Sequence, residues 1–184
     1  MRYIILVLAC ALAASCGNPF ELQAYILNVT DTVSLYSLSG TPVWLPSGYS
    51  IAGRQAVRTE SAPALDFAFD IDTSGRAVLL PTGAMKLGRQ SGTLLSAQQF
   101  DSIQFAPTGN YNLDSAQVVT ENTVLILRST PVSCTIGVTS YYYAKLHVLT
   151  IDTTSAPTGR RLDFEILTNR NCGFRGLQPG LPKH

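Results

Sequence analysis

The most regular pattern in the chain lies near its end, where Leu162, Phe164 and Ile166 interleave with Arg161, Asp163 and Glu165. Successive side chains of a strand point to opposite faces, so this spacing predicts a strand with one apolar and one polar face. The preceding run, YYYAKLHVLTI at 141–151, offers a matching apolar set at Tyr142, Ala144, Leu146 and Val148, with Lys145 and His147 on the other side. Between the two runs stands TTSAPTG at 153–159, and Pro157 and Gly159 are turn residues. The two runs therefore predict an antiparallel hairpin of 141–151 with 160–168. Parity then sends Lys145 and His147 outward together with Asp163 and Glu165.

Runs rich in β-branched, leucine and aromatic residues also predict strands at 24–29, 32–38, 64–71, 76–81 and 123–129, with turn clusters between them. A second hairpin is expected around Asp72-Thr73-Ser74-Gly75. One stretch departs from this pattern. Ser96 followed by Gln99 has the form of a capping box, and Ala97, Phe100 and Ile103 recur at helical spacing, which predicts one short helix near 96–104. No β-α-β alternation is present. The expected architecture is all-β: an antiparallel β-sandwich or partly open barrel with one short helix near 96–104.

Composition sharpens this picture in two ways. Charged residues make up 14% of the chain, below the roughly 25% usual for soluble domains, while 46% are hydrophobic. That balance suits strands and turns and is too apolar for disorder. The formal net charge is +1, with no basic block, so the electrostatic footprint that holds a phosphate backbone is missing. Nucleic acid is excluded as the main partner.

The first residues add an address. Arg2 is followed by an apolar and small-residue run from Tyr3 to Ala14, a secretory signal in outline but short of the about 20 residues a spanning helix needs. Next comes Ala13-Ala14-Ser15-Cys16, which resembles the lipobox of bacterial lipoproteins. The resemblance covers the signal region alone, and Ala13 stands where that family usually has leucine. It implies cleavage before Cys16, a lipid on that cysteine, and anchorage to a membrane. Gly17 follows the cysteine, and the absence of aspartate there implies sorting to the outer membrane. The expected organisation is a signal peptide at 1–15, a lipidated tether at 16–22, and a single β domain at 23–184 whose tail from Gln178 onward is irregular. The alternative is ordinary cleavage after Ala11-Leu12-Ala13, which would release a soluble periplasmic or secreted chain.

Cysteine usage bears on the same choice. Cys10 leaves with the signal, so Cys16, Cys134 and Cys172 remain, an odd number for an oxidising compartment that a lipid on Cys16 resolves. Cys134 and Cys172 flank the predicted terminal hairpin. Antiparallel pairing brings them to one end of the ribbon, which predicts a disulfide.

Candidate chemistry is sparse. Asp70 and Asp72 open a segment that imitates a calcium-binding EF-hand loop, but Pro81 stands where the bidentate glutamate belongs, so turn chemistry explains the residues. The two histidines are His147 and His184, and no G-x-S-x-G elbow accompanies them, so a serine triad is not indicated. His147 reads as a surface residue. Asp163 with Glu165, and Asp66 with Asp70, have the makings of carboxylate pairs for glycoside hydrolysis, although any solvated strand face produces such spacing. Trp44, with Tyr141, Tyr142 and Tyr143, offers flat faces on which sugars or apolar ligands could stack. No metal or cofactor is predicted. The functional expectation is a non-catalytic envelope lipoprotein, a binding or structural module partnered by the membrane and by a glycan or another envelope protein. The alternatives are a carboxylate-dependent glycan hydrolase and a carrier of an apolar ligand.

Overall fold

A computed structural model describes residues 23–60, 64–134, 137, 139–155 and 159–183. Its strands are β1 (Val29–Tyr36), β2 (Gly48–Ser50), β3 (Gln55–Val57), β4 (Phe67–Ile71), β5 (Ala77–Pro81), β6 (Gly92–Ser96), β7 (Gln117–Val118), β8 (Val124–Arg128), β9 (Val132–Ser133), β10 (Thr139–Ser140), β11 (Tyr143–Asp152) and β12 (Arg161–Asn169). One five-stranded sheet has the order β1-β12-β11-β8-β6, and a second has the order β3-β2-β4-β5-β7. Every pairing is antiparallel. The sheets pack against each other without closing into a barrel, so the sandwich is the architecture.

The terminal hairpin forms as its alternation requires. Val148 lies opposite Phe164, Leu146 opposite Ile166, and His147 opposite Glu165. Leu162, Phe164, Ile166, Ala144, Leu146 and Val148 are all fully buried, and they meet Tyr49, Phe67, Phe69 and Leu79 from the second sheet. Tyr49 stacks on Phe67 at 5.5 Å and meets Phe164 edge-on at 6.0 Å. Aromatic pairs of this kind add about 0.5–1.5 kcal/mol beyond their buried area. A bulge after Val148 shifts the register, so that Thr150 faces Asp163. The second predicted hairpin also forms, as β4 and β5. Its turn uses Gly75 at φ 78°, and the Asp72 carboxylate accepts from the backbone of Ser74 and Arg76, both at 2.9 Å.

Polar staples join the two sheets. Asp66, next to β4, is buried and accepts from the amides of Ile51 (2.7 Å) and Thr130 (2.6 Å), which belong to different sheets' ends. Burial pushes its carboxyl above the usual range, and the two amide bonds counter part of that rise. Arg54 holds Asp31 of β1 with a closest approach of 2.6 Å. Cys134 and Cys172 are disulfide-bonded with their Cα atoms 5.8 Å apart.

Three expectations are corrected. The short helix near 96–104 is absent: Ser96 ends β6, its hydroxyl accepts from the Gln98 amide at 3.1 Å, and one 3-10 turn at Phe100–Ser102 comes next. Residues three apart stack on one side of a 3-10 turn, which explains the helix-like spacing of Phe100 and Ile103. The strand expected at 24–29 begins only at Val29; before it Tyr25 and Leu27 are 80% and 58% exposed. Lys145 occupies the outward parity but is 2% exposed, because a second apolar layer covers it.

That layer comes from distant segments. Phe100, Ile103, Ala106 and Leu177 lie on Val124, Ile126, Tyr143 and Leu167, the outward residues at one end of the hairpin sheet. The covering strips bind each other through Leu177 N–H to Gln104 O (2.7 Å) and Ala106 N–H to Arg175 O (2.8 Å). Three buried asparagines tie the residues just before β1 to the segment that follows β12. Asn28 and Asn169 donate to the Gly176 carbonyl, each at 2.9 Å, and Asn171 accepts from the Tyr25 and Ile26 amides at 2.9 Å. The segment after Gln178 is irregular yet tied down, since Gly180 bridges to Asn28.

Candidate functional site

The outward face of the hairpin sheet is thus divided. At one end the cover hides it; beyond the cover the row Thr32, Glu165, His147 and the row Ser34, Asp163, Thr150 face solvent. Where the cover stops there is a cleft of about 460 Å³, walled by Gln98, Gln99, Phe100 and Asp101 at the 3-10 turn and by Asn122, Val124, His147 and Glu165 on the sheet side. A second cleft of about 480 Å³, around Leu65, Leu87 and Thr130, has no ionisable side chain in its lining. The first cleft is the chemically equipped one.

Strand pairing fixes its central pair. His147 and Glu165 lie directly opposite each other, and the imidazole Nδ1 and a carboxylate oxygen are 2.7 Å apart, with both side chains partly buried. The Phe100 ring lies 6.1 Å from the imidazole, centroid to centroid. Beneath them Lys145 donates to the carbonyls of Phe100 (2.7 Å) and Ile103 (3.2 Å) and sits 4.6 Å from the Phe100 ring centre. Burial pushes the Lys145 ammonium below its ordinary value, while Asp101 and Glu165 pull it back up. Lys145 therefore acts as a peg that seats the cleft wall on the sheet.

The carboxylates singled out from the sequence do not converge. Asp66 staples the sheets, and Asp70 receives the hydroxyls of Ser37 (2.5 Å) and Ser39 (3.0 Å). Asp163 is bound by Ser34 (2.6 Å), Thr150 (2.9 Å) and Arg161 (3.1 Å). Although burial works against ionisation of Asp163, these hydrogen bonds and the Arg161 charge hold it below the usual carboxylate range. Glu165 alone of the four lines the cleft, where Asp101 joins it. Asp101 carried no signal in the sequence, since its position depends on the 3-10 turn.

The aromatic residues separate as well. Trp44 is 66% exposed in the turn before β2, near Tyr36, whose amide donates to Pro46. Tyr143 lies at the opposite end of the hairpin sheet, paired with Asn169, whereas Tyr36 faces Arg161. Those ends are about 26 Å apart at roughly 3.3 Å per residue. Tyr141 and Tyr111 instead pack on the Arg128 guanidinium, at 4.2 and 5.2 Å. Among the described residues no cluster of three or more His, Cys, Asp or Glu side chains could hold a metal ion. Cys16 and His184 lie outside the described residues.

Fold and site together define an antiparallel β-sandwich with a polar, histidine-bearing cleft on its outer face. Comparison with protein-family models and with curated proteins finds no match.

Proposed function

We propose that this chain is an exported envelope lipoprotein, anchored through a lipid on Cys16, and that its sandwich is a non-catalytic module binding a polar, hydroxyl-rich ligand such as an oligosaccharide. The observation that carries the reading is the cleft lining. Gln98, Gln99 and Asn122 present side-chain amides, and Asp101, Glu165 and His147 complete a wall rich in paired donors and acceptors. Amides and carboxylates of this kind match sugar hydroxyls, which both donate and accept. The His147–Glu165 bond presets the orientation of two of these groups, so less side-chain freedom is lost on binding.

Two experiments test the two halves of the reading. For the cleft, an isotope-labelled chain beginning at Cys16 is titrated with peptidoglycan fragments and chitooligosaccharides. Amide shifts should gather at Gln98–Asp101, Asn122 and His147, and Glu165→Gln should weaken binding several-fold. Shifts elsewhere, or none with any sugar, would remove the reading. A hydrolase is the second reading, because Asp101 and Glu165 share the cleft; sugar release abolished by Glu165→Gln would put it first. For the anchor, intact-mass analysis of the membrane fraction should find a chain starting at Cys16 with added acyl mass. A chain starting at Ala14 without it refutes the anchor.

A further inference from the structure

Strand β1 is an edge of the hairpin sheet, and part of its outer backbone is unpaired. Amides along an antiparallel strand point alternately toward and away from the neighbour. Asn28 N–H donates to Gly180 O (2.7 Å) and Tyr36 N–H to Pro46 O (2.9 Å), so residues of this parity face away from β12. Thr30, Thr32 and Ser34 share the parity. They are exposed, and their outward backbone groups have no hydrogen-bond partner among the described residues. The result is a window closed at one end by Gly180 and at the other by Pro46, about 26 Å apart at roughly 3.3 Å per residue.

The other edges of the two five-stranded sheets are partly covered or short. Thr93 of β6 exchanges backbone bonds with Asn112 (3.0 and 2.8 Å), β3 has three residues and β7 has two. Exposed edges are usually blunted by lysine, proline or a bulge. The β1 sequence VTDTVSLY has none of these, and its single charge, Asp31, is already held by Arg54.

We propose that this window is a strand-addition site for an extended, uncharged segment of a partner protein, about five residues long with apolar residues at both ends. The closed ends exclude a second copy as occupant. An antiparallel β1–β1 pairing centred on Thr32 would place one copy's Tyr36 where Gly180 of the other already pairs with Asn28. A loop tip or terminus that peels away at both ends meets no such obstacle. The row Thr30, Thr32, Ser34 carries hydroxyls and no free charge, which selects an uncharged strand. Flanking apolar residues would find Tyr25, Leu27 and Leu181 at the Gly180 end, and Val43 and Trp44 at the Pro46 end, all more than half exposed.

The test uses the chain from Cys16 onward and a blocked heptapeptide of alternating threonine and valine with leucine at each end. At saturation, hydrogen exchange at Thr30, Thr32 and Ser34 should slow at least about tenfold, while Val33, already bonded to β12, is unchanged. Thr32→Pro removes one outward N–H at a position where an edge strand tolerates proline, so the thermal midpoint should persist while affinity falls at least about tenfold. Glu165→Gln should bind the peptide like the parent, which separates this site from the cleft. No binding at millimolar peptide, unchanged exchange at the three amides, or equal affinity of Thr32→Pro and parent would each overturn the proposal. Concentration-dependent dimerisation that protects these amides would overturn it in favour of a second copy. Should Thr32→Pro misfold, the exchange measurement on the parent still decides.

Discussion

The two faces of the terminal hairpin bury apolar side chains by different means. On the inner face, strand alternation alone puts Leu146, Val148, Phe164 and Ile166 against the second sheet, whose own ladder satisfies its backbone. On the outer face, irregular chain at 100–106 and 174–177 forms the second layer, and irregular backbone arrives with carbonyls that no ladder pairs. Lys145, Asn28, Asn169 and Arg175 donate to those carbonyls. A sheet brings its own hydrogen bonds to a core, whereas a loop layer needs polar side chains buried beneath it. The cleft lies where that second kind of layer ends.

The comparison can be broken most sharply at the inner face. Phe164→Ala should cost about 3–5 kcal/mol, and Phe100→Ala, under the irregular cover, should cost clearly less, because that layer can settle into the gap. Denaturant titration of both variants measures the difference. Equal losses would mean that the outer layer is as rigid a core as the inner one. Next in size is the peg. Lys145→Met keeps the length and apolar stem but leaves the Ile103 carbonyl unpaired and the Phe100 carbonyl with the Ile103 amide alone, which should cost about 1–3 kcal/mol. Hydrogen exchange should speed up at Ile103–Ala106 ahead of β11. Uniform loosening of both layers would contradict the division drawn between them.

The exposed half of the outer face should respond to pH. Asp163 is held below the usual carboxylate range, so its contribution is present above the unfolded value of about 3.9 and is lost as pH falls through the lower folded value. Asp163→Asn should therefore flatten the loss of stability on acidification below about pH 4, as thermal melts across pH 2–6 would record. An unchanged acid limb would show that Ser34, Thr150 and Arg161 do not favour the ionised form. The smallest effect is expected at the cleft. Cross-strand polar pairs contribute about 0.2–1 kcal/mol, so Glu165→Gln should alter stability by no more than that. A larger loss, read in the same titration, would make the His147–Glu165 pair structural and weaken its role in binding.

A period of two is a local property, and its consequences were legible in the chain alone: the all-β class, the shared outer face of His147 and Glu165, and, from the hairpin so defined, the pairing of Cys134 with Cys172. Which outward positions stay in water is not local. Lys145 and His147 are two residues apart on the same face, yet one is sealed under Phe100 and the other opens into the cleft, because segments from 100 and from 174 cover only one end of the sheet. The 3-10 turn that brings Asp101 to Glu165, and the Gly180 and Pro46 contacts that bound the β1 window, likewise join residues far apart along the chain. Alternation specifies the two sides of a strand, and only the packing of distant segments decides what each side meets.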